Sequence, residues 1–171
     1  IILTIDEKSD SNLFTAIKSG VSACITKNTD PDYLLDLFRV IAQGSNPIID
    51  EMVSPAISTM ILEDFDGIAA LNEKVDHLLP CLNQQERQLL NSIKAENDIE
   101  QISEKFSTPE GEIRRNLRLI LNKLISNEQS RAIIEAVQKN LPARAQQTMN
   151  TSELVTRTEF DEFKAQFMDR L

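Results

Sequence analysis

Three arginines, Arg114, Arg115 and Arg118, fall within a five-residue stretch. At helical spacing they share a face, and guanidinium forks on such a face suit guanine edges and phosphate oxygens in a DNA major groove. No acidic residue occurs between Ile113 and Ser126, a stretch that also carries Asn122 and Lys123. The bland alternative is a solvated cationic face with no partner. A second chemistry is conceivable at His77 and Cys81, four residues apart with Glu73 and Asp76 nearby. That spacing could share a metal on a helix, yet the chain has one histidine and two cysteines, Cys24 and Cys81, so no tetrahedral set is completed. The same scarcity argues against a Ser/His/Asp or Cys/His nucleophile. Four glycines leave no phosphate-cradling loop. We expect a non-enzyme with no metal site.

The elements that must position these residues follow from composition and periodicity. The chain has 171 residues, 41% apolar and 26% charged, which excludes low-complexity or wholly disordered material. Its formal net charge is −9, so a uniformly basic nucleic-acid coat is excluded, though a local basic patch is not. Charge is uneven: residues 1–65 carry −6, whereas residues 81–141 balance 9 basic against 9 acidic groups. No apolar run approaches the ~18 residues of a membrane span, and two cysteines suggest a reducing cytosol rather than a disulfide framework. The chain opens Ile1-Ile2-Leu3-Thr4 without Met, as a fragment of something longer would.

Ile1–Thr4 and Ser22–Thr26 read as short strands, with a helix over Asp10–Ser19 between them and Gly20 as its stop. Asp30-Pro31 then caps a helix on which Leu34, Leu35, Phe38 and Ile41 recur until Gly44. Residues 51–63 and 67–79 read as two helices, the second carrying Ile68, Leu71, Val75, Leu78 and Leu82 at heptad spacing. That stripe fits either a helix packed on its own domain or a dimerising seam. From residue 82 the chain reads as all helical: Asn83–Ala95, a short helix marked by Ile99, Ile102 and Phe106, a third opened by Thr108-Pro109 with Ile113, Leu117, Ile120 and Leu124 on one side, and a fourth over Glu128–Asn140. A polar linker follows Pro142, and Thr158 caps a last helix bearing Phe160, Phe163, Phe167 and Leu171. Glu159, Asp161, Glu162 and Asp169 on that helix disfavour membrane docking.

Residues 1–50 resemble the second half of a response-regulator receiver domain, through Ile2-Leu3-Thr4, Ala16-Ile17-Lys18-Ser19-Gly20, Ala23-Cys24-Ile25-Thr26-Lys27 and Asp30-Pro31. The resemblance implies a flavodoxin-like α/β sheet in which Thr4 senses an aspartyl phosphate and Lys27 pairs with it. It also implies that the phosphoacceptor aspartate and the acidic Mg2+-binding pair lie on strands absent from this chain, so no phosphoacceptor is expected here and Mg2+ only with the missing half present. Cys24 stands where that family usually has an aromatic residue.

Residues 81–141 resemble the helix-turn-helix domain of the LuxR/NarL type, through Leu82-Asn83-Gln84-Gln85-Glu86-Arg87, Ile102-Ser103, Ile113-Arg114-Arg115-Asn116-Leu117, Asn122-Lys123-Leu124 and Ser130-Arg131. The order of the two units is that of NarL/FixJ-type regulators. Departures are Ile99-Glu100 where Asn-Lys is common, Glu96 for a turn glycine and Glu112 for a threonine. Six acids between Glu96 and Glu112 oppose phosphate and lower the expected affinity.

The expected architecture is thus a partial α/β receiver over residues 1–50, a helical linker over 51–80, a four-helix helix-turn-helix domain over 81–141, and a linker with an amphipathic helix over 142–171. The resemblance implies a dimeric, cytoplasmic transcription regulator of a two-component system, with duplex DNA and a sensor kinase as partners. Arg114, Arg115, Arg118, Asn122, Lys123 and Arg131 would contact DNA. The competing expectation is a protein-binding adaptor with a degenerate helix-turn-helix.

Overall fold

The computed structural model describes residues 1–72, 79–95 and 99–140. Glu73, Val75, Asp76, His77 and Leu78, Glu96, and the tail 142–171 with its Phe160, Phe163, Phe167 and Leu171 stripe lie outside the described residues. Over what is described, the chain is mostly helical with one two-stranded parallel sheet.

The sheet pairs β1 (Ile2–Ile5) with β2 (Ala23–Thr26), Ile2 opposite Ala23 and Thr4 opposite Ile25. The crossover is α1 (Asp10–Lys18), whose start is fixed by Ser9: its hydroxyl accepts a hydrogen bond from the Asn12 amide at 3.3 Å. Gly20 ends the turn at φ +74°, and a Cβ there would sit 3.1 Å from Ile125 Cδ1. Glycine therefore serves both the left-handed stop and the close approach of a distant helix.

Asp30 caps α2 (Pro31–Ala42), accepting from the amides of Asp32 at 2.8 Å and Tyr33 at 3.3 Å, with Pro31 in the first turn. The expected apolar stripe is only partly covered. Leu37 is buried, but Tyr33, Leu35 and Phe38 are more than half exposed. Among the described residues no third strand and no further helix lies over that face, because a two-stranded sheet has too little width to cover it.

The middle of the chain departs from the expected helix bounds. In place of helices over 51–63 and 67–79, a single turn α3 (Ile48–Glu51) is followed by one continuous α4 (Pro55–Asn72) running through Gly67. Pro55 sets the start, and Ile57, Ile61, Phe65 and Ile68 are buried along its length, so tertiary packing carries the helix across the glycine. Ile68, taken above as the first residue of a heptad seam, is fully buried inside its own chain.

Asn83 and Glu86 form a reciprocal cap at the start of α5 (Gln84–Ala95): the Glu86 amide donates to Asn83 Oδ1 and the Asn83 amide to Glu86 Oε2, both at 2.8 Å. After α6 (Ile99–Phe106) comes the larger surprise, a single α7 (Glu110–Asn140) where two helices were expected. The expected break falls just before Glu128, at Ser126-Asn127. Asn127 is instead fully buried, and its Nδ2 donates to the Pro80 carbonyl at 2.9 Å, so its side chain is committed to a distant segment and the helix continues.

One apolar cluster joins all of this. It runs from Leu13 and Ile17 of α1 through Ile48 and Met52, Ile61 and Phe65 of α4, Leu90 and Ile93 of α5, and Ile102 of α6 to Ile113, Leu117, Ile120 and Leu124 of α7. A small charged junction sits at its edge. Asp64 accepts from Arg131 at 2.8 Å and lies 3.3 Å from Lys18, which also meets Glu128 at 2.6 Å. These four groups link α1, α4 and α7.

Replacing Gly20 by alanine places a β-carbon in the left-handed region against Ile125, and a loss of about 1–2 kcal/mol is expected in urea unfolding. Glu86→Ala removes half of the α5 cap and the carboxylate facing Lys123, whose side chain is 27% exposed; about 2 kcal/mol should be lost. Combining it with Lys123→Met should cost less than the two single losses together, a coupling read by a double-mutant cycle.

Candidate nucleic-acid interface

The candidate interface rests on α6, a tight turn and the first half of α7. Ile102 anchors α6 with no exposure, while Ile113, Leu117, Ile120 and Leu124 hold α7 along one side. The connecting turn is closed by Thr108, whose amide donates to the Ser103 carbonyl at 3.0 Å, and by the Ser103 hydroxyl, which donates to the Thr108 carbonyl at 2.7 Å. Ser107 occupies the left-handed region at φ 49°, a conformation usually given to glycine.

At about 100° per residue, Arg114, Arg118, Asn122 and Arg115 fall within about 100° of arc, which begins beside the buried stripe at Arg114 and ends opposite it at Arg115. Lys123 is displaced by about 180° from Arg114, and Arg131 points toward the same side as the buried leucines. The structure accordingly separates the six residues expected to meet DNA. Lys123 Nζ lies 2.6 and 2.8 Å from the two carboxylate oxygens of buried Glu86 and 3.0 Å from the Cys81 carbonyl. Arg131 is bound to Asp64, through both its carboxylate at 2.8 Å and its backbone carbonyl at 3.4 Å. Both cations hold the fold together and neither is presented to solvent as a free charge.

The four that share a face have different neighbours. Arg115 and Asn122 are exposed. Arg114 is ion-paired with Asp50 of α3. Arg118 lines, together with Arg114, a cleft whose far wall is Val40, Ser45, Asn46, Pro47 and Asp50. The first third of the chain thus lies beside the arginine face. Sequence reasoning missed Asp50, because an acid in a one-turn helix some sixty residues upstream carries no local sign of its partner.

The other expected residues are placed as follows. Thr4 is exposed on β1, and Lys27, just past β2, pairs with Asp6 at the same end of the sheet. Cys24 packs against the core, and burial, reinforced by Glu51, pushes its thiol pKa up, which leaves it a weak nucleophile. Cys81 is exposed, and its Sγ lies 3.0 Å from Asn72 Nδ2. Among the described residues no group of three His, Cys, Asp or Glu side chains could hold a metal, and no helix is long and apolar enough to cross a membrane.

No protein-family model matches the chain, and no solved structure matches it. The chain is similar to a protein of Haemophilus influenzae described as a nitrate/nitrite response regulator protein homolog, with 29% identity over 125 residues. That match covers 72% of this chain and 53% of the relative, so the chain spans about half the length of the curated protein it resembles.

Proposed function

We propose that this chain is a DNA-binding regulator of the response-regulator type, in which α6 and α7 are the two helices of a helix-turn-helix. The observation that carries this is the face of Arg114, Arg118, Asn122 and Arg115 at the start of α7, supported from beneath by an uninterrupted buried stripe. Similarity to the Haemophilus response regulator homolog supports the same reading. Guanidinium groups on one helical face contact guanine edges bidentately and clamp backbone phosphates on either side. Residues 1–50 then stand for part of a receiver, with a sensor kinase as the upstream partner, and two copies of α7 would meet DNA one turn apart, ~34 Å.

Duplex access to Arg114 requires its release from Asp50, whereas Arg118 is exposed at the rim of the cleft and borders the wall from Val40 to Asp50. The arrangement described is therefore a closed one at Arg114, where the front third of the chain is paired to that end of the arginine face. Exposed Leu35 and Phe38, which share one side of α2, favour the alternative of a protein-binding adaptor, and the same titration separates the two.

Fluorescence anisotropy of the 171-residue chain against genomic DNA fragments at two salt concentrations is the test. Affinity should fall steeply with salt. Arg115→Ala and Arg118→Ala should each cost about 1–3 kcal/mol, the larger value where the residue reads a base. Asp50→Asn, which frees Arg114, should tighten binding several-fold. If neither wild type nor Asp50→Asn shows salt-sensitive association, the DNA function is wrong and the adaptor stands. Ser107→Gly relieves the strained turn before α7 and should raise stability by about 1 kcal/mol without weakening DNA binding, as read by denaturation and the same titration.

A further inference from the structure

The cleft between the Val40–Asp50 segment and α7 contains groups that the fold leaves unsatisfied. Its volume is about 240 Å³, many times what one water needs and below the usual range for drug-sized ligands. On one wall stand Arg114 and Arg118, one helical turn apart. Arg114 is already oriented by Asp50, whereas Arg118 has no carboxylate partner among the described residues. On the other wall is Asn46, whose Oδ1 is buried and has no hydrogen-bond partner. A buried polar atom left unpaired is costly, and such atoms are rare. Ser45 adds a hydroxyl beside it.

We propose that this cleft binds a small phosphate-type oxyanion, either inorganic phosphate or the phosphate group of a small monoester. Arg114 and Arg118 supply charge-assisted donors from α7. Asn46 joins the set by turning its carboxamide, whose Oδ1 gains nothing where it is buried, so that Nδ2 donates to an anion oxygen. The lining carries two guanidinium groups against the single carboxylate of Asp50, so one excess positive charge remains for the ligand. A dialkyl phosphate matches less well, because it has one charge fewer at neutral pH.

Such an anion would bridge the front third of the chain to α7 and so hold the closed arrangement. This regulatory consequence rests on the DNA function proposed above, whereas binding itself does not. The test uses the full chain and three probes, inorganic phosphate, methyl phosphate and dimethyl phosphate, each against sodium chloride at matched ionic strength. The expected result is a saturable rise in melting temperature with inorganic phosphate in the millimolar range. Whether methyl phosphate binds more or less tightly identifies the free ion or a monoester as the better ligand. Dimethyl phosphate should bind at least 10-fold more weakly.

Arg118→Ala and Asn46→Ala should each weaken phosphate at least 10-fold, and Asn46→Asp, nearly the same shape with a repelling charge, should abolish the response. Arg115→Ala, on the same helix but outside the cleft lining, should leave it unchanged. A response no larger than that to chloride, or one that survives Arg118→Ala and Asn46→Asp, overturns the proposal. Saturating phosphate should also weaken DNA binding by wild type several-fold and leave Asn46→Asp unaffected. With no DNA binding in any variant, the thermal titration still decides the anion site independently.

Discussion

The structure depends on the burial of one side of α7. Ile113, Leu117, Ile120, Leu121 and Leu124 are all within a few per cent of complete burial, and α7 packs against α1, α3, α5 and α6. A helix of 31 residues could not be held by propensity alone, since isolated helices are marginal in water without tertiary contacts. Because the stripe is continuous with the core of α1 and α4, the front and back of the chain share one apolar interior. The direction in which the arginine face points is a consequence of that stripe.

Polar groups then fix where α7 lies relative to its neighbours. Asn127 reaches the Pro80 carbonyl, Lys123 reaches Cys81 and Glu86, and Arg131 reaches Asp64. These bonds join α7 to the Pro80-Cys81 segment, to α5 and to α4, so together they set both the register and the rotation of the helix. The Asp64 junction is dry at its centre and open at its rim, with side-chain exposures of 10% for Asp64 and 16% for Lys18 against 47% for Glu128. Charge pairs of this kind add little net stability over apolar packing, but losing one partner leaves an uncompensated charge in a dry site. They act here as specificity for one packing of α1 and α4 on α7.

The same geometry divides the cationic residues by role. Cations on the buried flank of α7 are consumed by internal carboxylates, while those opposite it are exposed or face a cleft. Arg114 belongs to both groups, since it sits on the outward face and is paired with Asp50 across the seam. This position makes the seam the place where a change in the front third would be felt by the arginine face.

Much of this was legible in the residues themselves. Asp30 and Asn83 announce two helix starts, because a capping side chain acts on amides two or three positions away. The alternation of Ile113, Leu117, Ile120 and Leu124 fixed which side of α7 is hidden, and by exclusion where Arg114, Arg115, Arg118 and Asn122 point. These are local facts, set by 100° steps and short hydrogen bonds. Tertiary structure alone decided that α7 runs on past Asn127, that α4 runs through Gly67, and that Lys123, Arg131 and Arg114 find Glu86, Asp64 and Asp50. Those outcomes depend on pairings across tens of residues, and a carboxylate far along the chain leaves no periodic trace at the cation it will meet.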